Sequence, residues 1–377
     1  MTPSTIRTPL AALLAGRIRA NGPMTFAEFM EACLYHPEVG YYSRADTPRY
    51  RDYYTSVDVH PIFGRLLARQ FHEMWIVLEK PNPFWLVECG AGSGRLAGHI
   101  LDFIEKHFSE FYSTLRYVAV ESSAGRRSAH AAAFARHLNA NRISSSSEIS
   151  QEVPAGCIFS NELLDALPVH RVIRERGVLH EIFVGLKDED LIETSGDLST
   201  PLIAEYFSRQ QIELAEDQQA EVGLAACKWI EIAGTRLGRG FIVTIDYGHE
   251  AGELYNERRM RGTLLAYEQH RTSEEYNRAP GEQDLTAHVN FTALDLWGRS
   301  AGLERAGLVT QSHFLLALGK QNEFADLYED VESEAERIRA RLLLKNLIHP
   351  EGMGETFQVI VQFKGIERPR LTGLDPV

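Results

Sequence analysis

Two stretches of the chain carry residue types at spacings that suit a reaction centre. The first is Val87-Glu88-Cys89-Gly90-Ala91-Gly92-Ser93-Gly94. Glycines at the carboxyl end of a strand let a ligand approach the backbone closely, and a helix starting over Ser93 to Leu96 offers N–H groups that have no partner within the helix. A dinucleotide turn, G-x-G-x-x-G, needs Gly or Ala at position 95, where Arg95 stands, and a phosphate-binding loop needs Gly-Lys-Ser/Thr after the turn. The pattern Gly-x-Gly-x-Gly is instead that of S-adenosyl-L-methionine sites. Such a ligand carries no phosphate and asks for an acceptor at its ribose hydroxyls. Glu121, an acceptor-only carboxylate ending the next apolar run, supplies one. The interval of 27 residues from Gly94 to Glu121 exceeds the roughly 20 expected after a dinucleotide turn. Taken alone, the three glycines serve equally well as a plain structural turn.

The second stretch is Ser160-Asn161-Glu162-Leu163-Leu164-Asp165-Ala166-Leu167-Pro168. Open α/β sheets gather their reacting groups at the carboxyl ends of the strands. If a helical turn follows this strand, Glu162 and Asp165 lie three apart on one face. Were the methyl acceptor a guanidinium, which stays charged at neutral pH, paired carboxylates would hold its planar fork and steer electron density to the attacking nitrogen. The alternative is an acidic helix start, capped by Asn161 and worth about 0.3–1 kcal/mol to the helix dipole. Asp246 and His249, in Ile245-Asp246-Tyr247-Gly248-His249 at the end of a later run, can orient substrate or remove a proton, or simply form a strand-end turn. None of the 14 histidines sits in H-E-x-x-H and no serine sits in G-x-S-x-G, so neither a metal nor a hydrolase elbow is expected.

These groups must be positioned by strands. Apolar runs at 84–88, 117–121, 157–160 and 241–246 alternate with helical patterns, one reaching about His107 and an alanine-rich one reaching about Leu138. That alternation implies a parallel sheet covered on both faces. Some 80 residues separate the third and fourth runs. Within them Val172-Ile173, Val178-Leu179 and Ile182-Phe183-Val184 flank turn signals at Arg176-Gly177, which predicts a β-hairpin insertion followed by helices, about 170–236 in all. The tail segments Phe314–Leu318 and Phe357–Phe363 are expected to pair antiparallel at the sheet edge. Residues 1–80, rich in aromatic and helical patterns, are expected to form an N-terminal cap, with the sheet domain over 81–377.

Composition bounds the rest. The chain has 377 residues, 44% hydrophobic and 24% charged, which is globular and long enough for a large core. Its 39 basic and 52 acidic residues leave a net charge of −13, a field that repels a phosphate backbone and argues against nucleic acid as a partner. Cys33, Cys89, Cys157 and Cys227 form no C-x-x-C pair, which fits a reducing compartment. No apolar stretch approaches the roughly 20 residues of a membrane span. The absence of acid before Glu28 beside Arg7, Arg17 and Arg19 has the bias of a transit peptide. Against that, Leu10, Leu13, Leu14 and Ile18 make one stripe of a packed helix.

Read in order, several segments resemble the MidA-like family, related to the mitochondrial complex I assembly-factor protein-arginine methyltransferase. They are Gly22–Met30, Leu34–Ser43, Tyr54-Thr55-Ser56 with Phe63-Gly64, Glu88–Gly94, Asn161–His170, Asp246–His249, Gly262-Thr263-Leu264 and Pro280–Val289. The resemblance implies a class I S-adenosyl-L-methionine-dependent methyltransferase fold, Rossmann-like, with a seven-stranded sheet containing one antiparallel strand, a helical N-terminal cap and an insertion between strands 4 and 5. It implies symmetric dimethylation of an arginine on a respiratory complex I subunit, supporting assembly of that complex. Carried over position by position, Gly90, Gly92 and Gly94 match the cofactor turn, Glu121 the ribose acid and Asn161 the loop after the fourth strand; Glu88 and Ser56 are placed on the cofactor side beside them. Glu162 is carried over with Asn161 as the loop after the fourth strand; Asp165, Asp246 and His249 join it on the catalytic side from their own placement, not from the resemblance, and Tyr41 and Tyr42 join Ser56 in lining the pocket. The same resemblance places residues 10–20 inside the domain and the protein in a bacterial cytoplasm rather than a mitochondrial matrix. A homodimer is left open, as is a non-catalytic assembly chaperone that binds the cofactor, a methyltransferase for another substrate, or a nicotinamide oxidoreductase.

Overall fold

The computed structural model describes residues 8–43, 61–268, 271–329, 331–349 and 354–377. They divide into two units, one built from 61–163, 230–247 and 298–377 and the other from 8–43, 164–229 and 248–297.

In the first unit seven strands appear in chain order: β1 (Phe84–Cys89), β2 (Leu115–Val120), β3 (Ile143–Ser146), β4 (Val153–Asn161), β5 (Leu237–His249), β6 (Glu304–Thr310) and β7 (Phe357–Lys364). Their spatial order is β6-β7-β5-β4-β1-β2-β3. Strands β3, β2, β1, β4 and β5 pair parallel, and β7 runs antiparallel to both β5 and β6. The expected single reversed strand is therefore β7. Phe84, Leu86, Val87, Ile158, Phe159, Phe241 and Ile242 are buried, as near-continuous apolar runs must be when helices cover both faces. The amphipathic helices Ile62–Val77 and Arg95–His107 pack together on this core, where Trp75 and Phe111 lie 5.3 Å apart.

The expected pairing of 314–318 with 357–363 is not formed. Residues 314–318 lie in the helix Gln311–Lys320, and the partner of β7 is β6. The Thr310 side chain caps that helix by accepting from the His313 amide at 3.2 Å. Phe314, Leu315 and Leu318 then share one buried stripe, a helical period that outweighs the apparent alternation.

In the second unit the helix Pro9–Asn21 is capped by Thr8, and Phe26–Tyr35 begins with a capping box between Thr25 and Glu28. Leu10, Leu14 and Ile18 are buried, whereas Leu13 is 54% exposed, so the stripe of the first helix is narrower than expected. The hairpin forms as expected: His170–Glu175 and Val178–Lys187 pair antiparallel about Arg176 and Gly177, both at positive φ, as a tight hairpin turn requires. Asp190–Gly196, Gln219–Val222 and Met24–Thr25 complete a five-stranded sheet. A smaller sheet joins Leu265–Glu268, Arg271–Ser273 and Asp284–Thr286, while Val289–Asn290 pairs parallel with Gly248–His249. Among the described residues no helix is long and apolar enough to cross a membrane.

Candidate active site

From β1 the chain winds outward through β2 and β3, then returns to β4 on the other side of β1. Such a reversal opens a crevice at the carboxyl ends of β1 and β4. The turn after β1 holds Gly90, Gly92 and Gly94 at φ of 78°, 55° and 84°, values that suit glycine. The amides of Gly90 and Ala91 both donate to Val120 O at 2.9 Å, which straps the turn to β2. Gly94 opens the helix Arg95–His107, and a Cβ added there would stand 2.5 Å from Cε1 of Phe134.

Glu121, just past β2, is 6% exposed. Its Oε2 accepts from the Gly92 amide and its Oε1 from the Ser123 amide, both at 2.9 Å. Each oxygen keeps a lone pair for a further donor. Glu88 is buried at the end of β1, where the Tyr117 hydroxyl donates to Oε2 at 2.6 Å. Burial pushes its carboxyl up to about 8, against the pull of the Tyr117 bond and with a smaller push from the Glu121 charge.

The segment after β4 is not the helical turn anticipated for Glu162 and Asp165. Glu162 takes φ of 53°, which ends the strand in a left-handed kink. Its amide donates to Ile245 O at 3.0 Å, and the next amide, of Leu163, donates to Oδ2 of Asp246 at 3.1 Å. With these amides tied to β5 and Pro168 ahead, no helix propagates. Asp165 falls in the second unit, buried, with its carbonyl accepting from the Ala287 amide at 2.9 Å. Asn161 donates from Nδ2 to Oε1 of Glu162 at 3.2 Å. Its Oδ1 is buried without a partner among the described residues, as is Oγ of Ser160.

Asp246 is fully buried, and its Oδ1 accepts from the Tyr247 amide at 2.9 Å. It holds the loop that carries Glu162. His249 belongs to the second unit, where Nη2 of Arg259 donates to its Nε2 at 3.0 Å. Its ring lies 5.4 Å from that of His288. Burial and the Arg259 charge hold His249 below its ordinary value. Its Nε2 lone pair is engaged by Arg259, so that nitrogen takes no proton while the bond is made. Arg259 and His288, with Arg171 and Glu193, line a cavity of about 370 Å³ in that unit. Tyr41 and Tyr42 are buried there too, with rings 5.2 Å apart and the Tyr42 hydroxyl donating to Asp284 at 2.7 Å. Ser56, with Tyr54 and Thr55, lies outside the described residues.

A sheet of this order with one reversed strand, a glycine turn after β1 and an acid after β2 define a class I S-adenosyl-L-methionine-dependent methyltransferase. Residues 66–309 match a family described as S-adenosyl-L-methionine-dependent methyltransferases, and the chain belongs to this MidA-like family. Similar curated proteins are the mitochondrial protein arginine methyltransferase NDUFAF7 of Danio rerio, 28% identical over 94% of this chain and 87% of that one, and of Homo sapiens, 27% identical over 93% and 82%. The Drosophila melanogaster homologue is 26% identical over 95% and 85%. A protein from Burkholderia thailandensis, crystallised with S-adenosyl-homocysteine bound, superposes with a TM-score of 0.84 at 27% identity, covering 98% of this chain and 97% of that one. S-adenosyl-L-methionine is accordingly the cofactor. The residues fit it: the three glycines of the turn present no side chain to block approach, Glu121 has lone pairs left for ribose hydroxyls, and Asn161 offers a buried oxygen with no partner among the described residues.

Proposed function

We propose that this methyltransferase acts on an arginine side chain of a protein, a respiratory complex I subunit, and thereby supports assembly of that complex. Similarity along almost the whole chain to relatives named protein arginine methyltransferases carries the reading. The bound cofactor supplies an electrophilic methyl group. Glu162 accepts two N–H bonds from the acceptor guanidinium, which keeps its charge at neutral pH, and so turns one nitrogen toward the methyl carbon. Asn161 fixes the Glu162 carboxylate through their hydrogen bond, and the Ile245 and Asp246 contacts fix its backbone. Holding the reactants in line supplies most of the rate in such a transfer: as the N–C bond formed, the methyl–sulfur bond would break, S-adenosyl-homocysteine would leave and the methylated nitrogen would release one proton to solvent.

The test is Glu162→Gln, which keeps the shape and removes the charge. Methyl transfer to complex I subunits, read by mass spectrometry of the modified arginine, should fall by about 100-fold or more, while titration with S-adenosyl-homocysteine should give the wild-type affinity. Unchanged arginine methylation in the variant, or an unmodified subunit set in cells with the active protein, refutes the arginine reading.

A further inference from the structure

His130 has no part in the chemistry proposed above, yet it is 1% exposed and touches the cofactor turn directly. It projects from the helix Ala124–Ala133, which Ser123 caps. Its Nε2 stands 2.9 Å from Gly92 O, and its Nδ1 stands 2.8 Å from Oγ of Ser145 on β3. A carbonyl only accepts, so Nε2 carries the proton. That carbonyl fixes the tautomer, and in the neutral ring Nδ1 accepts from the Ser145 hydroxyl. The ring also rests on Phe134, at 5.1 Å between centroids, and Phe134 is the side chain that abuts Gly94.

The consequence follows from the planarity of the peptide. Gly92 O and the Ser93 N–H belong to one trans peptide unit and point in opposite directions. The preceding unit is fixed at both ends as well, since the Gly92 amide donates to Glu121 and Ala91 O accepts from the Gly94 amide at 2.8 Å. Ser93 is exposed, and its amide makes no hydrogen bond among the described residues. We infer that His130 is a positioning residue for the cofactor: by anchoring the Gly92 carbonyl it directs the Ser93 amide, the donor left over in the turn, at S-adenosyl-L-methionine.

The inference concerns binding and is measured without any methyl acceptor, so it stands or falls apart from the arginine reading. The experiment is calorimetric titration of the full chain with S-adenosyl-homocysteine. His130→Phe keeps the ring on Phe134 and removes both hydrogen bonds, and should weaken binding by 10-fold or more. His130→Gln restores a donor for Gly92 O and should recover affinity to within about threefold. His137→Phe is the control: His137 is equally buried but bonds Tyr112 and Asp102, so its loss should lower the melting temperature without weakening binding in the folded protein. If His130→Phe does not fold, Ser145→Ala, which leaves the Nδ1 lone pair without its donor and loosens the ring against Gly92 O, should weaken binding at least threefold. Wild-type affinity in His130→Phe, or in Ser145→Ala where the first variant does not fold, overturns the inference. So does a Gln variant as weak as the Phe variant.

Discussion

Glu88, two residues before the cofactor turn, keeps its proton in the folded chain up to about 8, whereas the free side chain loses it near 4.5. Between those values the folded state holds the extra proton, so stability is complete below the lower one and is lost as pH rises through the upper. Glu88→Gln keeps an oxygen for the Tyr117 hydroxyl and removes the titration. Its unfolding free energy, read by urea titration, should overtake that of the wild type between pH 5 and 8, by an amount on the order of a few kcal/mol. Parallel pH profiles would contradict this. Gly94→Ala sets a methyl against Phe134 at positive φ and should cost about 1–3 kcal/mol, read as a lower urea midpoint, together with weaker binding of S-adenosyl-homocysteine. The glycine turn and Glu121 were legible as strand-end features because each closely follows an unbroken apolar run. His130 was not: a single histidine in an alanine-rich helix gives no hint that it reaches a carbonyl 38 residues away.

The strands of the sheet were legible wherever both faces are buried, because burial on two sides writes an unbroken apolar run. β6, Glu304–Thr310, is partly exposed along most of its length, and its mixed composition hid it behind the more apolar Phe314–Leu318. The loop after β4 misled for a different reason. Acid spacing suited a helix, but the deciding contacts, Ile245 O and the Asp246 carboxylate, come from a strand some 80 residues later in the chain. The loop depends on that carboxylate. Asp246→Ala strands the partly buried Leu163 and Tyr247 amides and should slow methyl transfer by about 10–100-fold through misplacement of Glu162. Affinity for S-adenosyl-homocysteine should stay within a few-fold, because the glycine turn does not lean on Asp246. A loss confined to cofactor affinity would reassign that residue.

For the whole molecule, the cofactor is expected at the topological reversal between β1 and β4, in the first unit. S-adenosyl-homocysteine at 100 times its dissociation constant should stabilise the fold by about 2.7 kcal/mol. Amide exchange should slow at 90–96, 121–131 and 159–163 and stay unchanged in the hairpin 170–187; protection centred on the hairpin would move the site. What no local pattern reveals is that 8–43, 164–229 and 248–297 make one unit, because that assembly rests on contacts between distant parts of the chain. The chain passes between units at 229/230 within the helix Leu224–Arg236, at 247/248 within β5, and at 297/298 within the helix Phe291–Ser300. Three of its passages therefore run through hydrogen-bonded backbone instead of tethers. Neither half can be lifted out as one contiguous gene fragment, and a graft of the smaller one onto another scaffold would need every seam stitched anew.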